Sequence, residues 1–144
     1  MKVLAFDISK KSTGWAFATE MGHEDGGSFP CKDILRAYDE FVRLVDLWRP
    51  DVVVSAAPVR YHDAIVAMSR LYGVLLYICR RRGIETYTEK NRLVNDKTMK
   101  KAVIGHGNAT KEQIKAHYGV DDEDMADAFM FCDYVLLKHK EGKE

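Results

Sequence analysis

Asp7 stands inside an apolar run, Val3-Leu4-Ala5-Phe6-Asp7-Ile8, with the pattern of a strand buried on both faces. A carboxylate there costs several kcal/mol unless something compensates it. Near the other end, residues 121–128 read Asp-Asp-Glu-Asp-Met-Ala-Asp-Ala. Asp124 and Asp127 are three apart, so on a helix they project from the same side. An acidic helix N-terminus is commonplace in itself, because the helix dipole favours it. Ala126 and Ala128, however, are small enough to let a strand approach closely, and the strand of Asp7 is the expected neighbour. Three converging carboxylates repel one another, and a divalent cation relieves the repulsion. Oxygen donors without His or Cys suit Mg²⁺, with Mn²⁺ as a substitute, rather than zinc. Two such ions about 3.5–4 Å apart activate a water and stabilise the leaving oxygen of a phosphodiester.

A second stretch, Lys100-Lys101-Ala102-Val103-Ile104-Gly105-His106-Gly107-Asn108-Ala109-Thr110-Lys111, puts two glycines between lysines. Gly105 and Gly107 would let backbone approach a phosphate, and the lysines supply charge. Most loops of this composition are only loops, and the stretch gains meaning beside the acids. Lys90, Arg92, Lys97, Lys100, Lys101, Lys111 and Lys115 fall within the same segment, which is therefore the expected DNA-facing side. His62 and His106 lie near the same place, where an exposed histidine with no chemical role is the plainer reading.

The elements that must position these groups follow from periodicity. Residues 2–9 read as a strand, 10–14 as a tight turn and 15–19 as a returning strand. Residues 22–31, with Gly26-Gly27 and Pro30, read as a turn-rich loop or a short third strand. Ile34, Ala37, Tyr38, Phe41, Val45 and Trp48 recur at helical spacing, with Asp33 as cap and Pro50 as terminator. A β-branched run at 51–55 is a central strand. A long helix follows over 64–82, ending in Arg80-Arg81-Arg82 and Gly83. Residues 84–88 read as a short strand and 98–104 as a helix. Thr110 and Gln113 form a capping box, and a C-terminal helix carries Met125, Phe129, Cys132 and Leu136. A hairpin followed by alternating strands and helices implies an α/β fold, a mixed sheet with helices on both faces.

Composition is consistent with one domain spanning residues 1–144. With 144 residues, 47% of them hydrophobic, there is material for a single core. The 22 basic and 22 acidic side chains cancel, so DNA affinity must come from a local face and not from bulk charge. Cys31, Cys79 and Cys132 lack CxxC spacing and read as reduced core thiols. No signal pattern or membrane-length apolar run stands out, so a cytoplasmic location is expected.

Three blocks then carry a family resemblance. They are Asp7-Ile8-Ser9 with Thr13-Gly14-Trp15, then residues 100–111, then Asp124-x-Ala126-Asp127-Ala128. In order and spacing the chain resembles the RuvC-like Holliday-junction resolvases of the RNase H-like superfamily, across most of its length. The resemblance implies a homodimer that cuts two symmetric strands of a four-way DNA junction using Mg²⁺. It makes Asp7, Asp124 and Asp127 metal ligands, and places Lys100 and Lys111 near the scissile phosphate.

One position departs from that pattern. The family carries a glutamate at the end of the strand that here reads Pro50-Asp51-Val52-Val53-Val54-Ser55-Ala56-Ala57-Pro58. Aligned from Pro50-Asp51 it falls on Ala56, with Ala57 the one-residue alternative, and neither alanine can ligate a metal. Either the acid was removed to trap an inactive protein or the natural protein manages without it; a single methyl at an otherwise intact site favours removal. The chain as written is thus expected to cut poorly and still bind DNA. Asp63 reads as a cap of the following helix and not as a substitute acid. In the loop Val59-Arg60-Tyr61-His62, Val59 matches the family's inserted aromatic, and Arg60 and Tyr61 are candidate DNA contacts. A stacked Tyr61 is worth about 1–3 kcal/mol per base. The wide apolar girth of the 64–82 helix is compatible with core packing or with a partner subunit.

Other readings share some of these features. An actin-like phosphotransferase also begins with a strand aspartate and a Ser/Thr-Gly turn, but needs a duplicated domain that this chain is too short to hold. A non-catalytic binder of branched DNA is consistent with Ala56, and a nuclease acting on RNA–DNA hybrids or flaps would share the acids.

Overall fold

The computed structural model describes residues 1–58 and 62–142. Five strands form one sheet in the order β3-β2-β1-β4-β5. They are β1 (Lys2–Ile8), β2 (Ser12–Thr19), β3 (Gly22–Pro30), β4 (Val52–Ser55) and β5 (Glu85–Thr86). The first three run as an antiparallel meander, whereas β4 is parallel to β1 and β5 to β4. The sheet is mixed, as the closely joined opening strands require.

Alternation along β1 sends its side chains to two cores. Leu4, Phe6 and Ile8 pack with Ala37, Phe41, Leu44 and Val45 of α1 (Ile34–Trp48) and with Leu71, Leu75, Ile78 and Cys79 of α2 (His62–Arg81). Val3 and Ala5 face α3 (Asp96–Ile104), α4 (Lys111–Tyr118) and α5 (Glu123–Gly142), through Met99, Ile114 and a run from Ala126 to Val135. Helices therefore cover both faces. Asp7 has the parity of Val3 and Ala5, so it belongs to the α5 face.

Local signals hold where they are chemical. Asp33 caps α1 by accepting from the N–H groups of Leu35 and Arg36, and the capping box of Thr110 and Gln113 is fully formed. The end of α1 is made one residue before Pro50, by Arg49 in the left-handed region at φ 45°. Of the two alternatives for residues 22–31 the structure takes the strand, longer than expected, because the small Gly26 lets β3 pass beneath Phe129 and Met125 of α5, where a Cβ would come within 2.9 Å of Phe129. One expectation is corrected. Ser12, Thr13 and Gly14 belong to β2 and not to a turn: the hairpin closes earlier, with the Ser9 N–H donating to the Ser12 carbonyl at 3.1 Å. At their edges, β5 is shorter than the 84–88 expected, α3 starts two residues early on an Asn95 cap, and α2 starts at His62, putting Asp63 inside its first turn.

All three cysteines are buried and unpaired. Among the described residues no helix is long and apolar enough to cross a membrane.

Candidate active site

Across the sheet, Gly14, Asp7 and Ala56 lie side by side. The β1–β2 ladder pairs Asp7 with Gly14, so both face α5. The parallel ladder pairs Phe6 with Ser55, and the next positions along are Asp7 and Ala56. Ala56 packs against the α5-side core, the face on which a longer acidic side chain would reach Asp7. The register therefore puts position 56, rather than 57, beside Asp7 on the α5 face. This row lies at the carboxyl ends of β1 and β4, the usual place for ligands in α/β sheets.

Gly14 admits the helix. A Cβ there would stand 2.2 Å from the backbone carbon of Asp124, so only glycine lets the first turn of α5 sit on the sheet. That turn is capped by Asp122, whose Oδ1 accepts from the N–H groups of Asp124 and Met125 at 3.0 and 3.2 Å. Asp127 is then in hydrogen-bonding contact with Asp7, and Asp124 lies close enough to both for their charges to repel.

Burial first, then the charges of Asp127, Asp124 and Asp96, hold the Asp7 carboxyl well above the usual carboxylate range. Burial and then Asp96 push Asp127 up to about 6, against the pull of Lys100. Both carboxyls of the Asp7–Asp127 pair are thus held above the ordinary carboxylate range by burial and by neighbouring negative charge. Asp124 is raised mainly by burial, although its Oδ2 accepts the Ser12 hydroxyl at 2.5 Å. Among the described residues no three His, Cys, Asp or Glu side chains already enclose a point that an ion could occupy. Two of the expected acids touch, and the third is turned to Ser12.

The lysines divide into two groups. Lys100 Nζ is 2.8 Å from Asp96 and pulls on Asp127, so it faces the acids. Lys111 Nζ is 3.0 Å from Glu123; that bond, and then the charges of Glu123, Asp127 and Asp124, raise its pKa. Lys97 and Lys101, one helical turn apart, are exposed on an adjacent face of α3. Gly105 has a plain structural reason: it caps α3 at φ 110°. Gly107 lies against the Lys97 side chain, to which a Cβ would come within 3.1 Å. Val59, Arg60 and Tyr61 lie outside the described residues, as do the side chains of His62 and Asp63.

Two participants were missed from sequence. Ser12 was assigned to a turn, whereas its place two residues before Gly14 puts it on the α5 face. Asp96 reads as an ordinary first-turn acid; its spacing of four from Lys100 was the available signal.

No protein-family model and no curated protein matches the sequence. Solved structures do match in fold. Thermus thermophilus RuvC superposes with a TM-score of 0.81 at 17% identity, covering 99% of this chain and 97% of that one. The Fowlpox virus resolvase, solved with its substrate Holliday-junction DNA, gives a TM-score of 0.55 at 14% identity over 99% of this chain and 98% of that one. The yeast mitochondrial Holliday-junction resolvase gives 0.56 at 14% identity, over 97% and 81% respectively. With its mixed sheet, its helices on both faces and near-complete coverage, this chain has a RuvC-like, RNase H-like fold.

Proposed function

We propose that this chain is a Mg²⁺-dependent, structure-selective endodeoxyribonuclease acting on four-way or branched DNA, with turnover lowered by Ala56. The observation that carries this reading is the meeting of Asp7 with Asp127 beside Asp124, on a sheet whose neighbours in fold are Holliday-junction resolvases. A close pair of carboxyls beside a third acid, with oxygen donors only, fits a hard divalent cation, Mg²⁺ or Mn²⁺. Bound there, such ions would supply an activated water and charge stabilisation for the leaving oxygen of a phosphodiester.

The chain's own residues set the conditions for that chemistry. Asp7, Asp127 and Asp124 would hold the cations as carboxylates, which requires Asp124 to turn from Ser12. Lys100 and Lys111, now paired with Asp96 and Glu123, are placed to attract the scissile phosphate. The exposed Lys97 and Lys101 extend the cationic surface along α3, where contact with flanking phosphates makes binding steeply salt-dependent. Symmetric incision needs two sites, and a homodimer would supply them; Val66, Leu76 and Tyr77 are the exposed apolar side chains that α2 offers to a second copy.

A synthetic four-way junction incubated with Mg²⁺ or Mn²⁺ tests the reading. Paired nicks that vanish in Asp7→Asn and strengthen in Ala56→Glu are expected. Tight junction binding with no incision by either the parent or Ala56→Glu, even at high Mn²⁺, would instead identify a non-catalytic binder. Preferential cutting of an RNA–DNA hybrid or a flap in competition would reassign the substrate.

A further inference from the structure

A fourth acid begins the helix whose approach is tied to the end of β4. The chain leaving β4 is tied to the approach to α3 by a main-chain bond, the Ala57 N–H donating to the Val94 carbonyl at 2.9 Å. Asn95 follows as the cap of α3, its side chain accepting from the N–H groups of Lys97 and Thr98, and Asp96 is the first residue of the helix. The same linkage draws the start of α3, with Asp96 two residues after Val94, toward the end of β4. Helix α3 packs on α5, and Lys100, whose Nζ is 2.8 Å from Asp96 Oδ2, also acts on Asp127. Asp96 and Asp127 thus share one cationic neighbour.

Two plainer roles account for an aspartate here. An acid in the first turn favours the helix dipole, and a pair with a lysine four residues on adds a few tenths of a kcal/mol. Neither explains why an acid should be placed where it repels both Asp7 and Asp127. A helix start can take its acid at other first-turn positions without that cost.

We propose that Asp96 is a further carboxylate of this metal site, standing in from the start of α3 for the acid absent at Ala56. The inference rests on the metal-site reading above and deepens it: the cation is held by acids from β1, α3 and α5, without one from β4. Being shorter than glutamate and shared with Lys100, Asp96 would retain the cation while positioning it less well, so binding survives the loss at position 56 better than turnover does.

Mn²⁺ titration of the full-length protein, followed by electron paramagnetic resonance, separates the possibilities without using cleavage. Asp96→Asn should weaken Mn²⁺ binding by about tenfold or more, while the metal-free melting temperature stays level or rises because a repelling charge is gone. Adding Ala56→Glu to Asp96→Asn should recover most of the lost affinity. Unchanged Mn²⁺ affinity with a lowered metal-free melting temperature would mean that Asp96 only supports the helix, and would overturn the proposal. A double variant no tighter than Asp96→Asn alone would also overturn it, by denying that the two acids are interchangeable. Asp7→Asn is the reference: if it too leaves Mn²⁺ binding unchanged, the metal-site reading fails, whereas loss in Asp7→Asn alone removes only Asp96.

Discussion

Helix α5 carries acids at two places with opposite surroundings. In its middle, Asp133 accepts from the Tyr118 hydroxyl at 2.7 Å and lies 2.7 Å from His23 Nε2. Beside it, Tyr134 joins Tyr87 in donating to Glu89, at 2.8 and 2.6 Å; burial raises that carboxyl, but the two hydroxyls outweigh it and leave it below its usual value. At the N-terminal end, Asp127 meets another acid, and burial and repulsion drive Asp7 and Asp127 upward. The protein thus supplies hydroxyl donors to Asp133 and Glu89 and one, from Ser12, to Asp124, whereas Asp7 and Asp127 are left facing each other. Acids held together without enough donors are prepared for a cation from outside the chain.

The largest break in this contrast comes from Asp7→Asn. Losing several kcal/mol of metal-based stabilisation should reduce junction cleavage by about 10³-fold or more, measured in single-turnover assays. The metal-free protein should at the same time melt higher, since Asn removes a repelling charge. Next in size is Gly14→Ala. Its Cβ would meet the Asp124 backbone at 2.2 Å, so overpacking should cost about 1–3 kcal/mol in urea unfolding, with cleavage lost through displacement of α5.

pH sharpens the contrast next. Asp127 is raised in the folded state, so its contribution is fully present below the unfolded value near 3.8 and is lost as pH rises through about 6. Metal-free stability should fall across that window by about 1–3 kcal/mol, less any relief by solvent, and Asp7 extends the loss to higher pH. Saturating Mg²⁺ should flatten the profile, because the cation takes the proton's place. Thermal melts from pH 4 to 8 with and without metal measure this; a metal-free profile that rises across the window would break the assigned direction. The smallest effect belongs to the other region. Tyr134→Phe leaves Glu89 with one hydroxyl and should cost about 0.5–1.5 kcal/mol, with Mn²⁺ affinity unchanged.

What the sequence made legible were features with short-range chemistry. Asp33 and Thr110 cap helices through their own side chains, as read, whereas the Asn95 cap of α3 was not read and that helix was started two residues late. The three acids were legible because an aspartate in an apolar strand demands a reason. The choice between loop and strand at 22–30 was not, since it depends on α5 lying over Gly26, a contact with Phe129 more than a hundred residues distant. Ser12 was lost for a related reason: moving the hairpin turn toward Ser9 puts it on a defined face of β2. Asp96 was hidden because an acid beginning a helix looks ordinary until the main chain at Ala57 and Val94 brings it to the site.

The most direct measurement is an anomalous difference map from crystals of the parent chain grown with Mn²⁺. The account predicts density bounded by the carboxylates of Asp7, Asp124 and Asp127, with Asp124 turned away from Ser12. A map at saturating Mn²⁺ that leaves the Asp7–Asp127 pair touching and free of metal would contradict it.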